Sequence, residues 1–248
     1  MKITGNTILI TGGGSGIGEA LAHRLHDLGN TVLISGRRLD ALKKAAAGRS
    51  KIVPLELDVE DPHAIEDFAR RVVADHPDLN VLFNNAGIMR MEPLDRRRDL
   101  SDAEATINTN LLGPIRLTNA LIDHLVTRPD AAIINCTSGL AFVPLIATPT
   151  YNATKAAVHS YTISMREALR GKVEVIELAP PAVQTGLTPG QETREGYLSL
   201  AEFTDEVMTI LTSEPTPPEI LVKRVGFLRF AERENRFDQT LSTLNAPR

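Results

Sequence analysis

The chain reads as an α/β protein, a single domain built on a doubly wound parallel sheet of about seven strands with helices on both faces. Three observations predict this. Short apolar, β-branched runs alternate strictly with longer segments whose apolar residues fall three and four apart, the periods of strand and helix. No Pro/Gly/Ser-rich linker divides the series. A glycine-rich turn stands between the first strand-like run and the first helical segment, where a βα unit needs a tight reversal.

The strand-like runs fall at 7–11, 31–35, 52–57, 81–84, 131–136, 173–178 and 220–222. They are continuous apolar stretches such as Ile8-Leu9-Ile10 and Val32-Leu33-Ile34, the pattern of strands buried on both faces. Between them, 17–28, 39–47, 64–74, 103–126, 151–169 and 200–211 carry helical spacing. Residues 1–248 form one domain on this reading, with a C-terminal extension from about 224 to 248. The βα rhythm is the only internal repeat.

Composition excludes several classes of function. A formal charge of −4 and a pI near 5.9 argue against a nucleic-acid binder held by phosphate contacts. Arg96-Arg97-Arg98 is the longest basic run and reads as a solvated approach to a helix. No apolar stretch approaches the ~18 residues of a membrane span. The segment Met1 to Asn6 lacks signal-peptide organisation, so a cytoplasmic location is expected. Cys136 stands alone in an apolar run, which rules out an intrachain disulfide and suits a small buried hydrophobe. The six histidines are scattered, and His23 and His26 lack further ligands at zinc-site spacing, so no metal is expected.

The first βα unit carries the first chemistry. Ile8-Leu9-Ile10-Thr11 runs into Gly12-Gly13-Gly14-Ser15-Gly16-Ile17-Gly18, and a helix follows. Glycines there permit a tight turn and close approach of backbone to a pyrophosphate, while the helix N-terminus offers amides and positive dipole. Gly12, Ser15, Gly16, Ile17 and Gly18 are the expected contacts of a dinucleotide, on a Rossmann-type fold. About 20 residues past this loop, such a fold usually offers an acid to the adenosine ribose. Here the slot reads Gly36-Arg37-Arg38. Guanidinium groups without a carboxylate suit a 2′-phosphate, hence NADP(H); two surface arginines beside a short loop are the other reading. Asp58, closing the third strand, fits either an adenine edge or a helix cap.

Tyr151 and Lys155 lie four residues apart in Pro149-Thr150-Tyr151-Asn152-Ala153-Thr154-Lys155. If this stretch opens a helix, phenol and ammonium share one face, and a nearby cation lowers the pKa of a tyrosine from its reference value of about 10. Asn84-Asn85-Ala86-Gly87 follows the fourth strand as a turn of small residues. Together with Thr11-Gly12-x-x-x-Gly16-Ile17-Gly18 and Tyr151-x-x-x-Lys155, these residues resemble the short-chain dehydrogenase/reductase family. Asn110 and Ser138 match two further positions of its pattern, and the resemblance covers residues 5 to 223.

The resemblance implies a Tyr-dependent oxidoreductase. Tyr151 would be the acid/base, Lys155 would lower its pKa and hold the nicotinamide ribose, Ser138 would hydrogen-bond the substrate oxygen, and Asn110 would order a proton-relay water. It adds Asn85, Ala86, Gly87, Val183 and Thr185 to the cofactor contacts. It also implies a dimer or tetramer, formed by the helices of 103–126 and 151–169. One departure stands out: Pro180-Pro181 replaces the family's frequent Pro-Gly, removing an amide near Val183.

Between Ser138 and Tyr151 lie Leu140, Ala141, Phe142, Val143, Pro144, Leu145 and Ile146, with Met89 expected opposite. All are apolar, which points to a hydrophobic ketone or aldehyde bound by Ser138, Leu140, Val143 and Tyr151, although a buried loop would look the same. The polar, glycine-containing stretch 186–199 reads as a lid over the cleft or as a surface loop. An NAD-linked alcohol dehydrogenase and a non-catalytic dinucleotide sensor are the alternative functions.

Overall fold

A computed structural model describes residues 1–246; the last two positions of the expected C-terminal extension, Pro247 and Arg248, lie outside the described residues. Seven strands form one parallel sheet: β1 Thr7–Thr11, β2 Thr31–Gly36, β3 Ile52–Glu56, β4 Leu79–Asn84, β5 Ala132–Cys136, β6 Glu174–Leu178 and β7 Glu219–Ile220. Their spatial order is β3-β2-β1-β4-β5-β6-β7, so the winding reverses between β1 and β4. A crevice opens at such a reversal, outside the carboxyl ends of the strands.

Alternation of side chains splits each strand between two cores. Ile8, Ile10, Val32, Ile34, Val81 and Phe83 face the side covered by α1 (Gly16–Asp27), α2 (Leu39–Ala46) and α7 (Leu200–Leu211). Leu9, Leu33, Leu82, Ile133 and Val175 face the other, under α3 (Pro62–Asp75), α5 (Gly113–Leu125) and α6 (Pro149–Ala168). The central strands are covered on both faces, which is why their sequences are unbroken apolar runs.

The expected helix over 103–126 is not continuous. It divides into α4 (Ser101–Ile107), a π-helical turn (Asn108–Leu112) and α5. Pro114 has no backbone N–H to continue a regular ladder and sits instead in the first turn of α5, where none is needed. Widened turns of this kind cluster at functional positions, and this one contains Asn110. The third helix starts earlier than its apolar spacing suggests, at Pro62, because Asp61 caps it by accepting from His63 N at 2.8 Å and Ala64 N at 3.2 Å.

The C-terminal extension is folded onto the body of the domain. A 3₁₀ turn (Lys223–Val225), α8 (Gly226–Arg229) and α9 (Phe237–Leu244) pack over the loop that follows β5. Gly139 lies so close beneath Leu228 that a Cβ there would stand 2.7 Å from its Cδ1. Asn245 accepts from Ile146 N at 2.7 Å and donates to Pro144 O at 3.1 Å, fastening the far end of that loop. No helix of the described residues is long and apolar enough to cross a membrane.

Candidate active site

The glycine turn sits at the reversal point, between the ends of β1 and β4. Gly12 has φ +67°, and a Cβ on it would stand 3.0 Å from Ala86 Cα; a Cβ on Gly18 would collide with the Gly12 carbonyl oxygen. Neither position admits another residue without moving backbone. Ser15, extended before α1, makes no side-chain capping bond, and the first turn of that 12-residue helix faces the crevice end of the sheet. Backbone this close-packed, with amides and no side chains in the way, fits a pyrophosphate.

Thr11 ties the turn to the next strand, a contribution the sequence motif alone does not display. Its hydroxyl accepts from Asn85 N and Ala86 N, both at 3.0 Å, and Asn85 Nδ2 donates to Thr11 O at 2.9 Å. The Asn85-Ala86-Gly87 turn is thereby locked against Gly12. Across the crevice, the segment after β6 closes in, with Thr185 in contact range of Gly16. Gln191 reaches back to Val183 O at 2.8 Å and Thr185 Oγ1 at 3.2 Å, while Val183 pairs with Leu198. The stretch expected as a lid is an ordered flap stitched to its own base. Pro180, before the proline that departs from the family pattern, accepts from Gly139 N at 2.8 Å.

Arg37 and Arg38 follow β2, both exposed. Arg37 Nη1 lies 3.3 Å from Glu60 Oε1, which also accepts from Thr109 Oγ1 at 2.8 Å. Glu60 is thus a neighbour of the expected phosphate site that its sequence position does not reveal. Asp58 is no helix cap; its Oδ1 accepts from Glu60 N at 3.0 Å and shapes the turn that carries Glu60.

Tyr151 and Lys155 stand in the first two turns of α6, which opens on Pro149, and the fourfold spacing puts Lys155 Nζ 5.7 Å from the phenol ring centroid. Both are buried. Lys155 Nζ donates to Cys136 O at 2.8 Å. Burial pushes the Tyr151 phenol well above its ordinary value, against a smaller opposing pull from the neighbouring Ser138 hydroxyl. Burial also lowers Lys155. The depressed phenol expected from a bare Tyr-Lys pair is opposed by desolvation of the phenolate, and the ammonium is turned toward the Cys136 carbonyl.

Ser138 leaves β5 in extended conformation and caps a 3₁₀ turn, its Oγ accepting from Leu140 N at 3.1 Å. Asn110 is gripped by Ile88, accepting from its N and donating to its O, both at 2.8 Å. Its Oδ1 and Lys155 Nζ both come within 3.6 Å of the Cβ position of Gly87. The structure thus brings Asn110, Lys155 and the Gly87 turn to one place, with Tyr151 and Ser138 adjoining. The apolar loop divides differently. Val143 has no exposed surface and serves the wall's packing, while Phe142, partly exposed, lies under Arg229, 4.7 Å from the guanidinium carbon. Leu140 keeps partial exposure and Ile146 is 67% exposed.

A parallel sheet reversing at a glycine turn, with a tyrosine, lysine and serine gathered beside it, defines a dinucleotide-dependent oxidoreductase. The family model for short chain dehydrogenases matches residues 6–196, and the chain belongs to that family. It is 38% identical over 251 residues to the uncharacterised oxidoreductase DltE of Bacillus subtilis, covering 99% of this chain and 98% of the relative. Among solved structures, a short chain dehydrogenase of Burkholderia cenocepacia in complex with NADP superposes with a TM-score of 0.82 at 26% identity, each chain fully covered. A 3-ketoacyl-(acyl-carrier-protein) reductase of Brucella melitensis complexed with NADH gives 0.77 at 25% identity, over 86% of this chain and 92% of that one.

Proposed function

We propose that the protein is an NADP(H)-preferring oxidoreductase acting on the carbonyl group of a small, largely apolar ketone or aldehyde, or on the corresponding secondary alcohol. The observation that carries this reading is the convergence of Tyr151, Lys155 and Ser138 beside the Gly87 turn, on two elements fixed to each other by the bond from Lys155 to Cys136 O. A bound nicotinamide supplies hydride chemistry, which no side chain can. The glycine turn, Asn85, Ala86, Val183 and Thr185 would hold that cofactor, with Arg37 and Arg38 at its 2′-phosphate.

The residues of the chain handle the proton. Tyr151, kept protonated by burial, is poised to donate to an oxygen on which negative charge develops, and Ser138 Oγ–H to polarise the same oxygen. Lys155 is held by Cys136 O, with two further donors for a ribose. Asn110 fixes Ile88 and the backbone wall opposite. Leu140, Met89 and Ile146 offer the apolar surface for substrate.

One observation favours a second reading, NAD-linked oxidation of an alcohol: the Glu60 carboxylate beside Arg37 offsets its charge where a 2′-phosphate would sit. A screen of ketones, aldehydes and secondary alcohols with both cofactors, followed by the absorbance of the reduced nicotinamide, decides between them. Turnover with NADPH on apolar carbonyl compounds supports the first reading; faster turnover of alcohols with NAD supports the second.

A further inference from the structure

One row of polar side chains crosses the sheet at a single register. Asn84 of β4 stands opposite Asn135 of β5, Asn135 opposite Glu177 of β6, and Glu177 opposite Glu219 of β7. The first three each follow by two residues a member of the core under α5 and α6, so the row faces those helices. Asn84 Nδ2 donates to Asn135 Oδ1 at 2.9 Å and to Thr118 of α5 at 3.1 Å; Asn135 Nδ2 donates to Thr162 of α6 at 2.9 Å. The third member is a carboxylate with no exposed surface. Burying a carboxylate costs several kcal/mol even when paired, and apolar replacements at such places are often neutral or stabilising. Stability alone is therefore a poor account of Glu177.

Its partners are more informative. Glu177 Oε1 accepts from Thr137 Oγ1 at 2.6 Å, and Oε2 pairs with His159 Nδ1 at 2.7 Å. Thr137 lies between Cys136, whose carbonyl receives Lys155, and Ser138. His159 lies one turn beyond Lys155 on α6. A single carboxylate thus grips both the strand end that carries Ser138 and the helix that carries Tyr151 and Lys155. His159 in turn meets the edge of Phe142, ring centroids 5.0 Å apart. Arg229, held by Glu219 at 2.8 and 2.9 Å, covers the same Phe142 ring.

We propose that Glu177 is a positioning residue for the reaction proposed above: by holding Thr137 and His159 it fixes Ser138 and the Tyr151–Lys155 pair in one frame. The claim rests on that reading of the site. Hydrogen bonds to an ionised acceptor are the strong ones, and misplacing reacting groups by about 1 Å costs on the order of 10²-fold in rate. Glu177→Gln keeps an acceptor for Thr137 and offers an N–H that His159 accepts in its other tautomer. Glu177→Ala loses both contacts.

Steady-state kinetics, normalised to sites counted by reduced-cofactor fluorescence, test the proposal together with amide hydrogen exchange over 136–143. Glu177→Ala is expected to lower kcat about 10–100-fold per site while KM for the carbonyl compound moves less than about 3-fold. Glu177→Gln is expected to recover kcat to within about 5-fold of wild type. Exchange at 137–141 should quicken in the alanine variant and not in the glutamine one, with β1 to β3 unaffected. Thr137→Val, which removes only the hydroxyl, should lower kcat by at least about 5-fold and stands in if the alanine variant does not fold. A kcat within about two-fold of wild type in either Glu177→Ala or Thr137→Val, or a glutamine variant as slow as the alanine one, overturns the proposal. If the wild-type protein turns over no carbonyl or alcohol, the proposed reaction fails, and exchange alone decides the positioning claim: unchanged exchange at 137–141 in Glu177→Ala, or in Thr137→Val should the alanine variant not fold, sinks it.

Discussion

Lys155 Nζ donates to the carbonyl oxygen of Cys136 at 2.8 Å, joining the helix of Tyr151 and Lys155 to the strand end two residues before Ser138. The ammonium is buried, and the bond orients it toward the Gly87 turn. Replacing it with methionine keeps most of the volume and removes the charge. Lys155→Met is expected to cut kcat/KM by about 10²–10⁴-fold and to weaken reduced-cofactor binding measurably by fluorescence titration. An unchanged cofactor affinity would separate the lysine from the ribose.

Cofactor choice rests on Arg37 against Glu60. A charge-assisted contact to phosphate contributes about 1.5–3 kcal/mol, so NADPH is expected to exceed NADH by roughly 10–100-fold in kcat/KM. Arg37→Ala should remove most of that ratio by slowing NADPH turnover alone. Gly36→Asp with Arg37→Ser should invert it, by supplying a ribose acceptor and repelling the phosphate. Equal use of both cofactors by the unmodified protein at low salt would show Arg37 to be occupied by Glu60.

Burial raises the Tyr151 phenol, which has a definite consequence at high pH. Above about 10 the unfolded chain ionises this tyrosine while the folded one holds its proton, so the unfolded state binds fewer protons and stability falls with rising pH. Tyr151→Phe lacks the group and escapes the loss. Denaturant unfolding should show the wild type losing about 1 kcal/mol more than Tyr151→Phe between pH 10 and 11. Parallel pH profiles would mean that the phenol titrates freely in the fold.

Apolar surface left on the helices leads us to expect assembly. Ile107 at the end of α4, Val126 just past α5 and Ile163 on α6 are 39%, 36% and 43% exposed. Pairing across a two-fold axis would bury them, and closed symmetric assemblies are the common outcome for soluble homo-oligomers. Light scattering should return a dimer or tetramer at micromolar concentrations, shifting toward monomer in Ile163→Glu. A monomer mass throughout would contradict this.

Much of the fold was legible because strands buried on both faces write themselves as apolar runs, and each of the seven runs is a strand. The edges were less so: β7 is two residues long, and its expected continuation to 222 runs unpaired, with Val222 extended, into the C-terminal turns. The π turn around Asn110 was hidden in an even apolar spacing, although Gly113-Pro114 inside a supposed helix was the clue. Site residues placed by short motifs were found together. Residues that act through long-range pairs, such as Glu60, Glu177 and Arg229, left no local signal, since their partners lie from about 10 to about 50 positions away. Val143 looked like substrate wall because apolarity does not tell a pocket lining from the layer behind it.

If Tyr151 donates and accepts the proton in a nicotinamide-linked oxidoreductase, turnover by Tyr151→Phe must show it. The substitution deletes one oxygen, leaves the ring beside Lys155, and spares the glycine turn that would bind the cofactor. The variant is expected to bind reduced cofactor with nearly wild-type affinity and to lose about 10²–10⁴-fold or more in kcat. Retention of more than about a tenth of the wild-type rate, at matched cofactor occupancy, would contradict the account.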